Sequence, residues 1–166
     1  GAGRGAVPAA PVLAAGGIGT GRAVAAMPAA GADGVRIGTR FVASEEAGLH
    51  PIYTDALIAA RAEDSVYGSN FHVGWPEAPH GALRSAITAA QANDGEIVAK
   101  VMGLDGSERS VPRFSVVMAD RSATGHVEAM ALYAGQSVGA IKRVAPAREI
   151  MRELVEQAED LLRRAR

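Results

Sequence analysis

Cysteine is absent from these 166 residues. Disulfides and thiolate metal sites are therefore excluded, and a reducing, cytoplasmic compartment is the expectation. Charge of one sign is also missing: 17 basic against 18 acidic residues leave a net charge of −1. Nothing electrostatic favours nucleic acid or an anionic membrane. No apolar run approaches the roughly 20 residues that a membrane-spanning helix needs. The opening GAGRGAVPAAP lacks the apolar core of a signal peptide. Aromatics are scarce, and three of them, Tyr67, Phe71 and Trp75, fall in one stretch at 64–80. That stretch also holds Gly74, Pro76 and Pro79, which predict an irregular loop that buries its large apolar groups. His72 and His80 lie there without a carboxylate or histidine at ligand spacing, so no metal site is expected.

Several catalytic signatures are missing too. GGIGTG at 16–21 does not continue as G-x-G-x-x-G, because Arg22 and Val24 stand where the third glycine would fall. No lysine follows the glycines as a Walker A loop requires. No G-x-S-x-G elbow occurs. There is no internal repeat and no low-complexity linker.

What is present centres on 11–41, PVLAAGGIGTGRAVAAMPAAGADGVRIGTRF. Residues 11–15 form a short apolar run, the pattern of a strand buried on both faces. Gly16 and Gly17 follow at once, where a backbone can take positive φ and approach a ligand. Thr20 is placed to cap a helix over 22–30 that closes at Gly31. Pro28 should kink it or end it near Met27. A second apolar run, 34–37, ends in Gly38-Thr39. Two parallel strands joined by a helix put both glycine turns at strand C-terminal ends, where α/β folds bind ligands. Two adjacent turns offering N–H groups suit a phosphate.

Further along, Ser44-Glu45-Glu46 reads as a capped helix start, and Pro51 opens a helix over 51–62 with Ile52, Ala56, Ala59 and Ala60 broadly on one side. A helix is predicted at 81–93 with Leu83, Ile87 and Ala90 on one stripe. Residues 96–118 suggest a hairpin turning at Asp105-Gly106. Residues 126–133 read as a helix ending at Gly135. The last helix, 147–164, is the clearest, with an i, i+4 stripe from Ile150 to Leu162 and favourably ordered Glu159–Arg163 and Asp160–Arg164 pairs.

PVLAAGGI, GADGVRIGTRF, SEEAGLHP and ALYAGQSVGAIKRVAPAREIMRELV closely resemble segments of the nitronate monooxygenases, formerly called 2-nitropropane dioxygenases. That resemblance is strong at 11–51 and 131–155. It implies an α/β fold: the last two βα units of an FMN-binding TIM (β/α)8 barrel over 1–62. A loop and mostly helical C-terminal extension over 63–166 would pack on that barrel. A whole barrel takes roughly 200 residues or more, so strands one to six are expected to lie in a longer enzyme. The resemblance further implies that FMN phosphate is held by Gly17, Arg36, Ile37, Gly38 and Thr39, with Gly16 as a neighbour. Tyr133, Gln136 and Ser137 would line the substrate site. The implied activity is oxidation of alkyl nitronates with O2. The alternatives are an FMN-dependent enoyl-thioester reductase and a non-catalytic flavin-binding fragment. A homo-oligomeric state stays open. The family's proposed base is a histidine in a glycine-rich motif that precedes the 11–17 region. His50, His72, His80 and His126 do not match it, so no catalytic residue is assigned.

Overall fold

The computed structural model describes residues 10–165. The loop expected at 1–10 falls almost wholly outside the described residues. The first unit is strand β1 (Leu13–Ala15), helix α1 (Gly21–Ala26) and strand β2 (Gly34–Arg36). The strands pair in parallel, with Leu13 opposite Gly34 and Ala15 opposite Arg36. Thr20 caps α1 as expected: the Ala23 N–H donates to its Oγ1 at 3.2 Å. The helix ends at Ala26, before Pro28, and a turn carries the chain to Gly31 at φ +88°. The expected span of 22–30 is thus cut short by the proline, whose ring cannot sit inside the hydrogen-bond ladder.

One expectation about β1 is corrected. It is not buried on both faces; Leu13 is 60% exposed. Among the described residues β2 is its only sheet neighbour, so nothing covers its outer side.

Helix α2 (Thr39–Val42) follows β2 after Ile37 and Gly38, then a 3₁₀ turn at Glu45–Ala47. Ser44 makes no side-chain cap there. Glu46 serves another helix instead, accepting the Ala147 N–H at 2.8 Å. Helix α3 (Pro51–Ala59) opens on its proline, and the Ile52 N–H donates to His50 Nδ1 at 3.2 Å. Its buried side is Tyr53, Leu57 and the following Ala60, and Ile52 is exposed. The expected stripe through Ile52 is therefore rotated.

Residues 63–166 are not mostly helical. Strands β3 (Ser65–Gly68) and β4 (His80–Leu83) form an antiparallel pair. Helix α4 (Arg84–Ala92) comes next, then β5 (Ile97–Met102), β6 (Glu108–Pro112) and β7 (Thr124–Gly125) in the order β6-β5-β7. The Asp105-Gly106 hairpin is present between β5 and β6, with Gly106 at φ +77°. Gly81, expected to begin a helix, lies in β4. The long loop from β3 to β4 buries Phe71 but leaves Trp75 65% exposed, and Tyr67, which lies in β3 and not in a loop, is 78% exposed. The expectation that the whole loop buries its aromatics fails for those two.

The helix expected at 126–133 is a 3₁₀ turn at Val127–Ala129 and then extended chain. The Leu83 N–H donates to Leu132 O at 2.9 Å, and the Ala134 N–H to Gly81 O at 3.0 Å. The extended chain therefore borders β4. Val127, Ala129, Met130, Ala131, Leu132 and Ala134 are all buried, so apolar residues show no helical period here and tertiary pairing decides the backbone. Helix α5 (Ala147–Arg164) matches expectation in both bounds, and its Asp160–Arg164 pair is formed at 2.6 Å.

The main core joins α3, β4, α4, β5 and 127–141. A second cluster, Ala145, Ile150 and Leu154, packs on Val24, Ile37 and Phe41. Burial of a Leu or Ile side chain contributes about 1.5–3 kcal/mol, so this small cluster is what seats α5 on the β1–α1–β2 unit. The approach is close: a Cβ on Gly21 would lie 2.3 Å from Gln157 Cβ and 2.8 Å from Leu154 O.

Candidate functional site

The two glycine turns meet. Gly16 and Gly17, at φ +91° and +68°, leave the end of β1, and Gly38 and Thr39 leave the end of β2. Parallel pairing puts both turns at the same end of the sheet, and a cavity of about 310 Å³ lies between them. Arg36 borders it, exposed and without an ion pair to any described residue. A Cβ built on Gly16, Gly17 or Gly38 meets no other atom within 4 Å, so a ligand can reach this backbone. The first two need glycine for their left-handed backbone. Gly38 has φ −102°, which any residue can adopt, so its smallness matters only for what approaches it.

The far wall comes from distant sequence. Gly135 and Ser137 line the same cavity, and the Gly135 N–H donates to Thr39 Oγ1 at 2.9 Å. That bond occupies the Thr39 oxygen as an acceptor and leaves its hydroxyl proton available. Gly135 was anticipated only as a helix end; its place in the matched YAGQS segment was the one signal for it.

The other expected site residues divide. Ser137 is buried at the cavity. Gln136 is exposed and outside it. Tyr133 does not line it either: its hydroxyl donates to Val116 O at 2.9 Å and its ring stands edge-on to His80 at 4.9 Å. Burial raises the Tyr133 pKa, which suits a phenol that stays protonated and bonded to backbone. The Ile37 side chain is also turned away, into the Ala145–Ile150–Leu154 cluster. Successive side chains on an extended segment point to opposite faces, so with Arg36 toward the cavity Ile37 faces α5.

No histidine lines the cavity. His50 caps α3. The Phe71 N–H donates to His80 Nε2 at 3.3 Å, and His80 Nδ1 donates to Ala78 O at 2.8 Å. His72 stacks on Phe114, and His126 lies 3.3 Å from Glu128. A larger groove of about 710 Å³ runs between α3 and α4, but half of its lining is alanine and neither glycine turn borders it. The arrangement is suited to holding an anionic group against backbone amides and one arginine. It supplies no acid–base pair.

Comparisons with known proteins bear on the family and the fold. The nitronate monooxygenase family model matches residues 4–157. A nitronate monooxygenase of Metarhizium robertsii is 30% identical over 161 residues, covering 92% of this chain and 42% of that protein. The structure resembles FabK from Thermotoga maritima, with a TM-score of 0.62 and 25% identity over 93% of this chain and 46% of that one. It shares its fold with a nitroalkane oxidase from Streptomyces ansochromogenes, with a TM-score of 0.66 and 24% identity, covering 98% of this chain and 43% of the other. The chain thus spans less than half the length of each of these proteins. The match of the family model to nearly its whole length shows that this chain belongs to the nitronate monooxygenase family.

Proposed function

We propose that this chain supplies the phosphate-binding part of an FMN-dependent nitronate monooxygenase. In this reading 1–62 are the last two βα units of a (β/α)8 barrel, and 63–166 are an extension packed on it. The supporting observation is the convergence of two glycine turns and Arg36 on one cavity at the ends of parallel strands. The residues fit a phosphate: backbone that a Cβ would not crowd, the Arg36 guanidinium, without an ion pair among the described residues, and a threonine hydroxyl with a proton to give. Gly16, Gly17, Arg36, Gly38 and Thr39 would hold it, with Ile37 limited to its backbone. Ser137 and Gly135 would close the wall. When bound, FMN supplies the redox chemistry between nitronate and O2. This chain's own part is to fix the position of the cofactor. The base lies elsewhere in the longer enzyme, so the isolated chain is expected not to oxidise nitronates.

Flavin content tests the site. Gly38→Val adds a side chain at an unstrained backbone facing the cavity, so the fold should survive and FMN stoichiometry in the longer enzyme should fall. Unchanged stoichiometric FMN would remove the assignment. Oxygen uptake with propyl nitronate tests the activity. NADPH turnover with an enoyl thioester, and none with nitronate, would favour the reductase alternative.

A further inference from the structure

We infer that Glu153 is a positioning residue for the flavin-binding turn, and that it acts by holding Arg40. The inference rests on reading 36–39 as the phosphate turn. Arg40 follows Thr39 directly and is only 6% exposed. Its Nη1 is buried without a hydrogen-bond partner. Among the described residues its Nη2 reaches only Glu153 Oε2, at 3.5 Å. Burial lowers the Arg40 pKa, with Glu153 opposing that shift and Arg143 adding to it. A guanidinium nevertheless stays ionised in proteins, so Arg40 cannot relieve its burial by losing a proton.

Glu153 is shared. Its Oε1 accepts from Arg143 Nη2, and Arg143 Nη1 also lies 3.4 Å from Glu149. Arg143 is half exposed and has a second carboxylate; Arg40 has neither. Among the described residues the charge on Glu153 is therefore the one compensation for a buried cation next to a like charge. Without it, the relief open to Arg40 is to move out of the interior. Helix α2 is a single turn that begins at Thr39, so such a movement carries Thr39 with it and breaks the Gly135–Thr39 bond. The phosphate turn would then lose its fixed geometry although Glu153 touches no part of the cavity.

The test is Glu153→Gln in the longer enzyme, freed of flavin, with hydrogen exchange by mass spectrometry and an FMN titration followed by flavin fluorescence. Exchange at 36–42 should rise about tenfold while α4 at 84–92 stays unchanged, and FMN should bind about tenfold more weakly. Adding Arg40→Met should restore both, since it removes the buried charge. Unchanged exchange at 36–42 would overturn the inference. So would a rise spread equally over α4, which marks general destabilisation. Failure of Arg40→Met to restore FMN binding would also overturn it, because Arg40 would then be needed for itself. If the unaltered enzyme takes up no FMN, the reading of the turn as a flavin site fails, and the exchange arm still decides whether Glu153 braces it.

Discussion

At the scale of single residues, the chemistry of a side chain here is set by which backbone it meets. Tyr53 is the clearest instance. It is fully buried, and its hydroxyl donates to Tyr133 O at 2.6 Å, tying α3 to the extended 130–134 segment. Tyr53→Phe leaves that carbonyl without its donor and should cost about 1–3 kcal/mol in a urea titration. Burial is also the main cause of a strongly raised Tyr53 pKa. The folded state thus holds this proton more tightly than the unfolded chain does. The stability contribution is fully present below the ordinary tyrosine value of 10.0 and is lost as pH rises above it toward the folded value. Stability measured from pH 9 upward should therefore fall beyond about pH 10, and Tyr53→Phe should flatten that fall. An equally steep fall in the variant would assign it to other groups. Gly17 makes a second residue-scale contrast with Gly38. With φ +68°, Gly17→Ala should cost about 1–2 kcal/mol from backbone strain alone. The same change at Gly38 should leave the unfolding midpoint unmoved.

At the scale of elements, α5 depends on groups far from it in sequence. Its apolar stripe seats it on α1 and α2 through Ile150 and Leu154, and Gly21 permits the close crossing. Its first turn is capped from another element, by Glu46 on the Ala147 N–H. A carboxylate at a helix N-terminus is worth about 0.3–1 kcal/mol when exposed, through hydrogen bonding and the helix dipole. Glu46→Ala should therefore lower stability by about that amount and raise exchange at 147–150, and added salt should narrow the difference. An effect confined to 45–47 would show that Glu46 serves only its own turn. The β5–β6 hairpin and α5 are legible in the sequence because their signals are local: an Asp-Gly turn and a 3.6-residue period. The 126–134 segment is not legible. Its apolar residues are buried all round, so they carry no period, and pairing with β4 settles an extended backbone over a helix.

At the scale of the whole molecule, the β1–β2 pair is the exposed feature. It is a two-stranded parallel sheet with Leu13 largely in solvent, and parallel sheets are ordinarily covered on both faces. Next to it, Val24, Val35, Phe41, Met151 and Val155 line an apolar hollow of about 390 Å³. Unpaired strand edges beside apolar surface template association. The chain alone should therefore self-associate or exchange rapidly around 11–41, while α5 stays protected. Light scattering after size exclusion, with hydrogen exchange alongside, checks both halves. A monodisperse monomer with strongly protected amides at 11–15 and 34–38 would show that the β1–β2 pair is stable without neighbours.

The sequence by itself determined what a few adjacent residues can specify. Glycines where backbone must take positive φ, Thr20 before a helix, Pro28 as its end and the stripe of α5 all act within one or two turns of chain. The same local grammar carried the family resemblance, and with it the proposal that the two glycine turns hold a phosphate. Only the tertiary structure decided which side chains meet. It turned Ile37 toward α5 and Tyr133 toward Val116, and left Tyr67 and Trp75 in solvent. It also joined Thr39 to Gly135 and Arg40 to Glu153 across 96 and 113 positions of chain. Such pairings depend on how elements pack, and no short window of sequence encodes the partner of a group that distant.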